Sequence, residues 1–124
     1  MKLTNNEIYT YAQNLTSAFM DKEQRLPIKL SFLIQKNKIK LLELAQDIEQ
    51  ARLDIAQTYG TYEEEKEQYI ILPDNIKEVE KELNDLFSIE QDVNIYTINA
   101  DCLSDVLTLT TTQMEAIMFM IEET

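Results

Sequence analysis

The chain has no histidine and no tryptophan, and only one cysteine, one glycine and two prolines among 124 residues. Each scarcity excludes something. Without histidine there is no ordinary catalytic triad, no imidazole base near neutral pH and little basis for a zinc site. The single cysteine, Cys102, rules out an internal disulfide, a CxxC redox pair and a thiolate metal cluster, and suits a reducing compartment. One glycine, Gly60, cannot build a GxGxxG or P-loop phosphate cradle. So little Gly and Pro argues against a sandwich, a barrel or a long linker and favours long helices with short connections. Long apolar runs are missing too. The opening MKLTNNEIYTYAQ lacks the apolar core of a signal peptide, and MEAIMFMIEE near the end is too short to span a bilayer, so no membrane partner is expected.

Positive charge is also scarce. Lys and Arg number 11 against 23 Asp and Glu, a net charge of −12. Affinity for a phosphate backbone comes from Lys and Arg, so direct nucleic-acid binding is not expected, and charged partners should be basic. An apolar fraction of 44% places the chain in the folded class, and its length suits one domain over residues 1–124 with one modest core.

What is present is dominated by residues 32–59, SFLIQKNKIKLLELAQDIEQARLDIAQTY beginning at Ser31. Ile34, Leu41, Ile48 and Ile55 recur every seven residues, Leu44 and Ala51 fill offset positions, and Asn37 and Thr58 interrupt the seam. This predicts a long amphipathic helix that needs a partner helix to cover its apolar face. Lys36, Lys38 and Lys40 occupy its first half, and Glu43, Asp47, Glu49 and Asp54 its second, an order that opposes the helix dipole at both ends.

The remaining segments arrange around it. Residues 4–20 predict a helix with a capping box from Thr4 and Glu7 and an apolar stripe of Ile8, Tyr11, Leu15 and Phe19. LPIKLS, residues 26–31, alternates and predicts an edge strand, with Ser31 as the cap of the long helix. Gly60 stands where a C-cap of positive φ is expected. Residues 61–72 predict a small hairpin or acidic loop closed by Pro73. Asn75 and Glu78 resemble a second capping box ahead of a helix facing inward through Ile76, Val79, Leu83 and Leu86. DVNIYTI, residues 92–98, predicts a strand that pairs with LPIKLS. Residues 99–109 predict an irregular segment, and Thr112 with Glu115 a cap for a last helix bearing Met114, Ile117, Met118 and Ile121.

The expected fold is therefore α+β, mainly α. It comprises a long antiparallel helical hairpin, a small two-stranded sheet pairing 26–31 with 92–98, and flanking N- and C-terminal helices. The hairpin partner, Ile76 to Phe87, is much shorter than the long helix. The unmatched part of the seam must pack on the terminal helices or on another protein.

No residue set points to catalysis, and no metal or cofactor is expected. Glu63, Glu64 and Glu65 do not match an EF-hand loop. Asp101 and Asp105 lie four apart around Cys102, with nothing to place them in an apolar cleft. A metal-dependent carboxylate enzyme is the weakest reading. Residues 60–92 hold eleven acids and three bases. Within them Glu63, Glu64, Glu65, Glu67, Glu78, Glu82 and Asp85 form the candidate interaction surface. The Met-rich ending is a second candidate contact, read first as core filling.

Four segments, MKLTNNEIYTYAQNL, RLPIKLSFLIQKNKIKLLELAQDIEQAR, KELNDLFSIEQDVNIYTI and LTTTQMEAIMFMIEE, resemble small phage and prophage proteins of Gram-positive bacteria, the domain-of-unknown-function family numbered 1617. The resemblance implies a phage accessory protein without catalytic residues, in the cytoplasm of the infected host or in the virion. Two roles follow from it. One is self-association, as a homo-oligomer, in virion assembly or scaffolding. The other is an acidic, anti-CRISPR-like inhibitor that mimics phosphate toward a basic host defence protein.

Overall fold

The computed structural model describes residues 1–103 and 108–122. Its first helix forms as the local sequence dictates. Thr4 caps α1 (Asn5–Ala18): its hydroxyl accepts from the Glu7 N–H at 3.1 Å, and the Glu7 carboxylate accepts from the Thr4 N–H at 3.0 Å. Both bonds satisfy groups that the first helical turn leaves unpaired. Ile8, Ala12 and Leu15, spaced four and three apart, are buried.

The long helix α2 runs from Ile28 to Tyr59, about 48 Å at the standard rise. It begins earlier than expected. Pro27 occupies the N-cap, and its carbonyl accepts from the Ser31 N–H at 3.0 Å. The strand expected over 26–31 therefore does not form. Its alternating residues do not share a side either, since Leu30 is 2% exposed and Ile28 84%. Proline lacks the N–H that a first helical turn leaves spare, so it starts a helix here instead of edging a sheet. No side chain caps this end; Ser31 lies inside the helix.

Leu30, Ile34, Asn37, Leu41, Ala45 and Ile48 form the buried seam of α2. Its main partner is α1. Leu15 lines a cleft with Ile34 and Lys38, whereas Tyr9 lies near Arg52, so the two helices run antiparallel. The unmatched seam is thus covered within the chain by the N-terminal helix. Each Ile or Leu buried this way contributes about 1.5–3 kcal/mol.

After α2 the chain makes an antiparallel hairpin, β2 (Gly60–Glu63) with β3 (Gln68–Ile71), which follows β1 (Lys2–Thr4) in the sequence. Gly60 has an extended φ of −120°, not the positive φ expected of a C-cap. Glycine is needed for space: a Cβ there would lie 2.7 Å from the Ala56 carbonyl oxygen and 3.0 Å from that of Ile70. The positive φ belongs to Glu67, at 50° in the hairpin turn.

A single 3-10 turn, Pro73–Asn75, leads into α3 (Ile76–Ser88). Asn75 stands at the N-cap but makes no capping bond. Its amide donates instead to the Tyr59 carbonyl at 3.0 Å, pinning the start of α3 to the end of α2. Ala51 and Ile55 lie beside Leu86 and Ile89, so α2 and α3 form the expected antiparallel hairpin. The helix α3 is peripheral: none of its residues is fully buried, and Val79, Leu83, Leu86 and Phe87 are half-buried.

The expected strand over 92–98 is broken up. β4 (Glu90–Asp92) pairs antiparallel with β1, register Leu3 to Gln91. Residues 93–97 belong to no strand. They lie against α2, where the Asn37 side chain occupies the Tyr96 backbone groups that a neighbouring strand would use. β5 (Ile98–Asn99) then pairs parallel with β6 (Ile121–Glu122).

Between these two strands, a 3-10 turn (Ala100–Leu103) precedes α4 (Thr111–Ile117). Asp105 and the Cys102 side chain lie outside the described residues. The cap of α4 is Thr110 with Gln113, not Thr112 with Glu115. The helix stops at Ile117, a 3-10 turn follows over Met118–Met120, and Ile121 joins a strand instead of extending a helical stripe. Met120 is fully buried and Met118 is 64% exposed, so the Met-rich ending is part core and part surface. Stacked rings of Tyr11 and Phe119, 4.3 Å apart, hold it to α1.

Candidate interaction surface

The buried polar residues among those described are three amides, Asn5, Asn37 and Gln113, and none is ionisable. All are satisfied. Asn5 donates to the Leu86 carbonyl at 2.8 Å and accepts from the Gln91 amide at 2.7 Å. Asn37 donates to the Tyr96 carbonyl at 2.8 Å and accepts from its N–H at 2.9 Å. Gln113 exchanges amide hydrogen bonds with Gln24 and donates to the Ala18 carbonyl at 2.8 Å. Each amide ties segments far apart in sequence. They are fasteners of the fold: buried polar groups that keep their partners.

A cleft of about 260 Å³ lies where α1 leads into α2, lined by Leu15, Phe19, Leu26 and Ile34, with Asp21, Lys22 and Lys38 at its polar edge. It gathers one carboxylate. Among the described residues no three acids or thiols stand close enough together to hold a metal ion. No described helix is long and apolar enough to cross a membrane.

Burial pushes the Tyr11 hydroxyl above its usual value, and the nearby Glu7 charge and hydrogen bond add to the rise. Arg52 holds the Glu49 carboxyl below the usual carboxylate range through a two-pronged hydrogen bond, Nε to Oε2 at 3.0 Å and Nη2 to Oε1. Both partners are substantially exposed, so this pair adds little to stability.

The acids singled out in the sequence fall into two groups. Glu63 ends β2 opposite Gln68, and Glu64, Glu65 and Glu67 are exposed in the turn that follows. Glu78, Glu82 and Asp85 are exposed on α3. Of these, Glu82 and Asp85 rim a shallow trough between α2 and α3, floored by Ala51, Ile55, Leu86 and Ile89. Asp54 of α2 joins them there, an acid the sequence reading left out. The antiparallel α2–α3 hairpin was the signal, since it sets the end of one helix against the end of the other.

The larger feature lies on α2 itself. Ile28, Phe32, Ile39, Leu42 and Leu53 are between 37% and 84% exposed. At 100° per residue they fall within a sector of about 80° on the face turned away from the buried seam. Gln35, Gln46 and Glu49 occupy the intervening positions, so the spacing from Ile28 to Leu53 alternates four and three without a break. This is a second heptad seam, and among the described residues no element covers it. The sequence reading found the inner seam and expected self-association through it. The structure buries that seam and leaves this outer one exposed. Lys36 leans over the Phe32 ring at 5.5 Å, and Glu43 lies on the same edge of the stripe one heptad later. The ion pairs among the described residues are Arg52 with Glu49 and the Met1 amino group with Asp92, so Lys36 and Glu43 are in neither.

The architecture so defined is a mainly helical α+β unit with an unpaired apolar face on its longest helix. A family model described as a protein of unknown function, DUF561, matches residues 1–119, and the chain belongs to that family. This corrects the resemblance to family 1617, which rested on four separate segments, whereas the match runs through almost the whole chain. The phage setting and host location drew on that resemblance and are not carried forward. No curated protein and no solved structure matches the chain. The family description names no activity, so the functional reading rests on the geometry.

Proposed function

We propose that this protein acts non-catalytically, through protein–protein contacts, and that it self-associates through the outer face of α2. The observation that carries this reading is the exposed seam of Ile28, Phe32, Ile39, Leu42 and Leu53. Scattered exposed apolar residues need no explanation, but five aligned on one helix face over about 38 Å, with Gln35, Gln46 and Glu49 between them, suit a contact surface. Sedimentation equilibrium at tens of micromolar tests it. The wild-type chain should be larger than a monomer, and Ile39→Ser with Leu42→Ser should be monomeric with an unchanged helical circular-dichroism signal. A monomeric wild-type chain overturns the reading.

A second reading has its own observation. Asp54, Glu82 and Asp85 surround an apolar trough, a combination that suits a basic amphipathic segment of another protein. Binding of an Arg- and Lys-flanked helical peptide should weaken with salt and with Glu82→Gln plus Asp85→Asn. Insensitivity to both would remove this reading.

A further inference from the structure

Resting on the reading that the outer face of α2 is a contact surface, we propose that its occupant is α2 of a second copy, laid antiparallel about a two-fold axis between Ile39 and Leu42. Three observations converge on this arrangement.

The first is the seam's own symmetry. Turned end for end, four of the five apolar positions superimpose on one another, and Phe32 falls on Glu49. Ile39 meets Leu42 of the second copy, and Leu42 meets its Ile39. Ile28 and Leu53 meet at both ends, and Gln35 lies opposite Gln46. A two-fold interface requires such a self-complementary patch. A parallel alignment would set Gln35 against Gln35 and Glu49 against Glu49, stacking like with like.

The second is charge. The exposed lysines Lys29 and Lys36 belong to the first half of α2, and Glu43, Asp47 and Asp54 to the second. Within one helix this order opposes the dipole. Across an antiparallel pair it becomes complementary: each basic half lies along the other copy's acidic half, and the two dipoles oppose. Lys36 and Glu43 flank one edge of the stripe on either side of the axis. The two-fold sets Lys36 of each copy against Glu43 of the other, twice. Flanking charges of this kind choose orientation in paired helices.

The third is availability. Neither Lys36 nor Glu43 belongs to an ion pair among the described residues, and both are exposed. Glu49, which would face Phe32, already has its charge matched by Arg52. A single helix-on-helix contact is small beside the roughly 1,600 Å² of a standard interface, so a weak, concentration-dependent dimer is expected.

The test is a charge swap read by sedimentation equilibrium. Lys36→Glu and Glu43→Lys alone should each weaken the dimer at least tenfold. An equimolar mixture of the two, and the double variant Lys36→Glu/Glu43→Lys, should both restore it. Both positions are exposed, so folding is preserved. If both single variants dimerise like wild type while Ile39→Ser/Leu42→Ser does not, the antiparallel arrangement is overturned and the contact surface stands. If the singles weaken but neither the mixture nor the double variant recovers, the Lys36–Glu43 pairing is wrong. A monomeric wild-type chain overturns self-association itself, and the antiparallel arrangement with it.

Discussion

The side chain of Asn37 grips the backbone of Tyr96 from both sides, accepting from its N–H at 2.9 Å and donating to its carbonyl at 2.8 Å. A helix residue thereby does for residues 93–97 what an adjacent strand does in a sheet. Lys40 reinforces the contact by donating to the Asn94 carbonyl at 2.7 Å and lying over the Tyr96 ring. Asn37→Ala leaves the part-buried Tyr96 N–H and C=O without these partners and opens a small cavity at a fully buried position. It should destabilise the fold by about 3 kcal/mol, measured by urea denaturation. A loss of only a few tenths would show that water replaces the amide at little cost.

Gln113 plays a comparable part between α1 and α4. It caps α4 together with Thr110, pairs with Gln24 and bonds the last turn of α1. Gln113→Ala should cost about 2 kcal/mol. The loss should be local: amide exchange should rise first over residues 111–117, while α1 and α2 remain protected. Uniform acceleration through the whole chain would contradict this.

Gly60→Ala should destabilise by about 1–2 kcal/mol through crowding alone. The extended φ permits any residue, yet the new methyl would meet two backbone oxygens, of Ala56 and Ile70, that cannot swing aside. Thermal unfolding decides the matter, and an unchanged or raised Tm would refute the steric account.

Tyr11 gives stability an alkaline limit. Its folded-state value is raised by burial and by Glu7, so the folded protein holds the phenolic proton more tightly than the unfolded chain does. Stability is unaffected below the ordinary tyrosine value of about 10. It falls as pH rises through and above that value, where the unfolded chain alone ionises this group. The wild type should lose more stability between pH 9 and about 11 than Tyr11→Phe, which keeps the ring stacked on Phe119. Parallel pH profiles for the two would assign the alkaline loss to other tyrosines.

Legibility followed the range of the interactions. Thr4 and Glu7 were readable as a cap because both partners lie within one turn. The inner seam was readable because Ile34, Leu41 and Ile48 repeat without a gap. The outer seam was passed over because Gln35, Gln46 and Glu49 interrupt its apolar run, although the four-three spacing is present in the sequence. Pro27 misled because six alternating residues fit a strand as well as a helix start. Asn37 read as a flaw in a seam, since its partner stands 59 positions away and no local pattern points to it. The acids of α3 were legible as charge, but their association with Asp54 depends on helix packing.

The hairpin turn of residues 64–67 has a consequence of another kind. It is exposed along its whole length, and it joins two parts of the chain already fastened to each other elsewhere. Asn5 holds Leu86 and Gln91, Asn37 holds Tyr96, and β1 holds β4. The peptide connection at the turn is therefore a dispensable covalent link, and exposed tips of this sort are where proteases cut first. A polypeptide severed there should stay assembled as two interlocked fragments. Expressed separately, the halves should recognise one another and rebuild the domain.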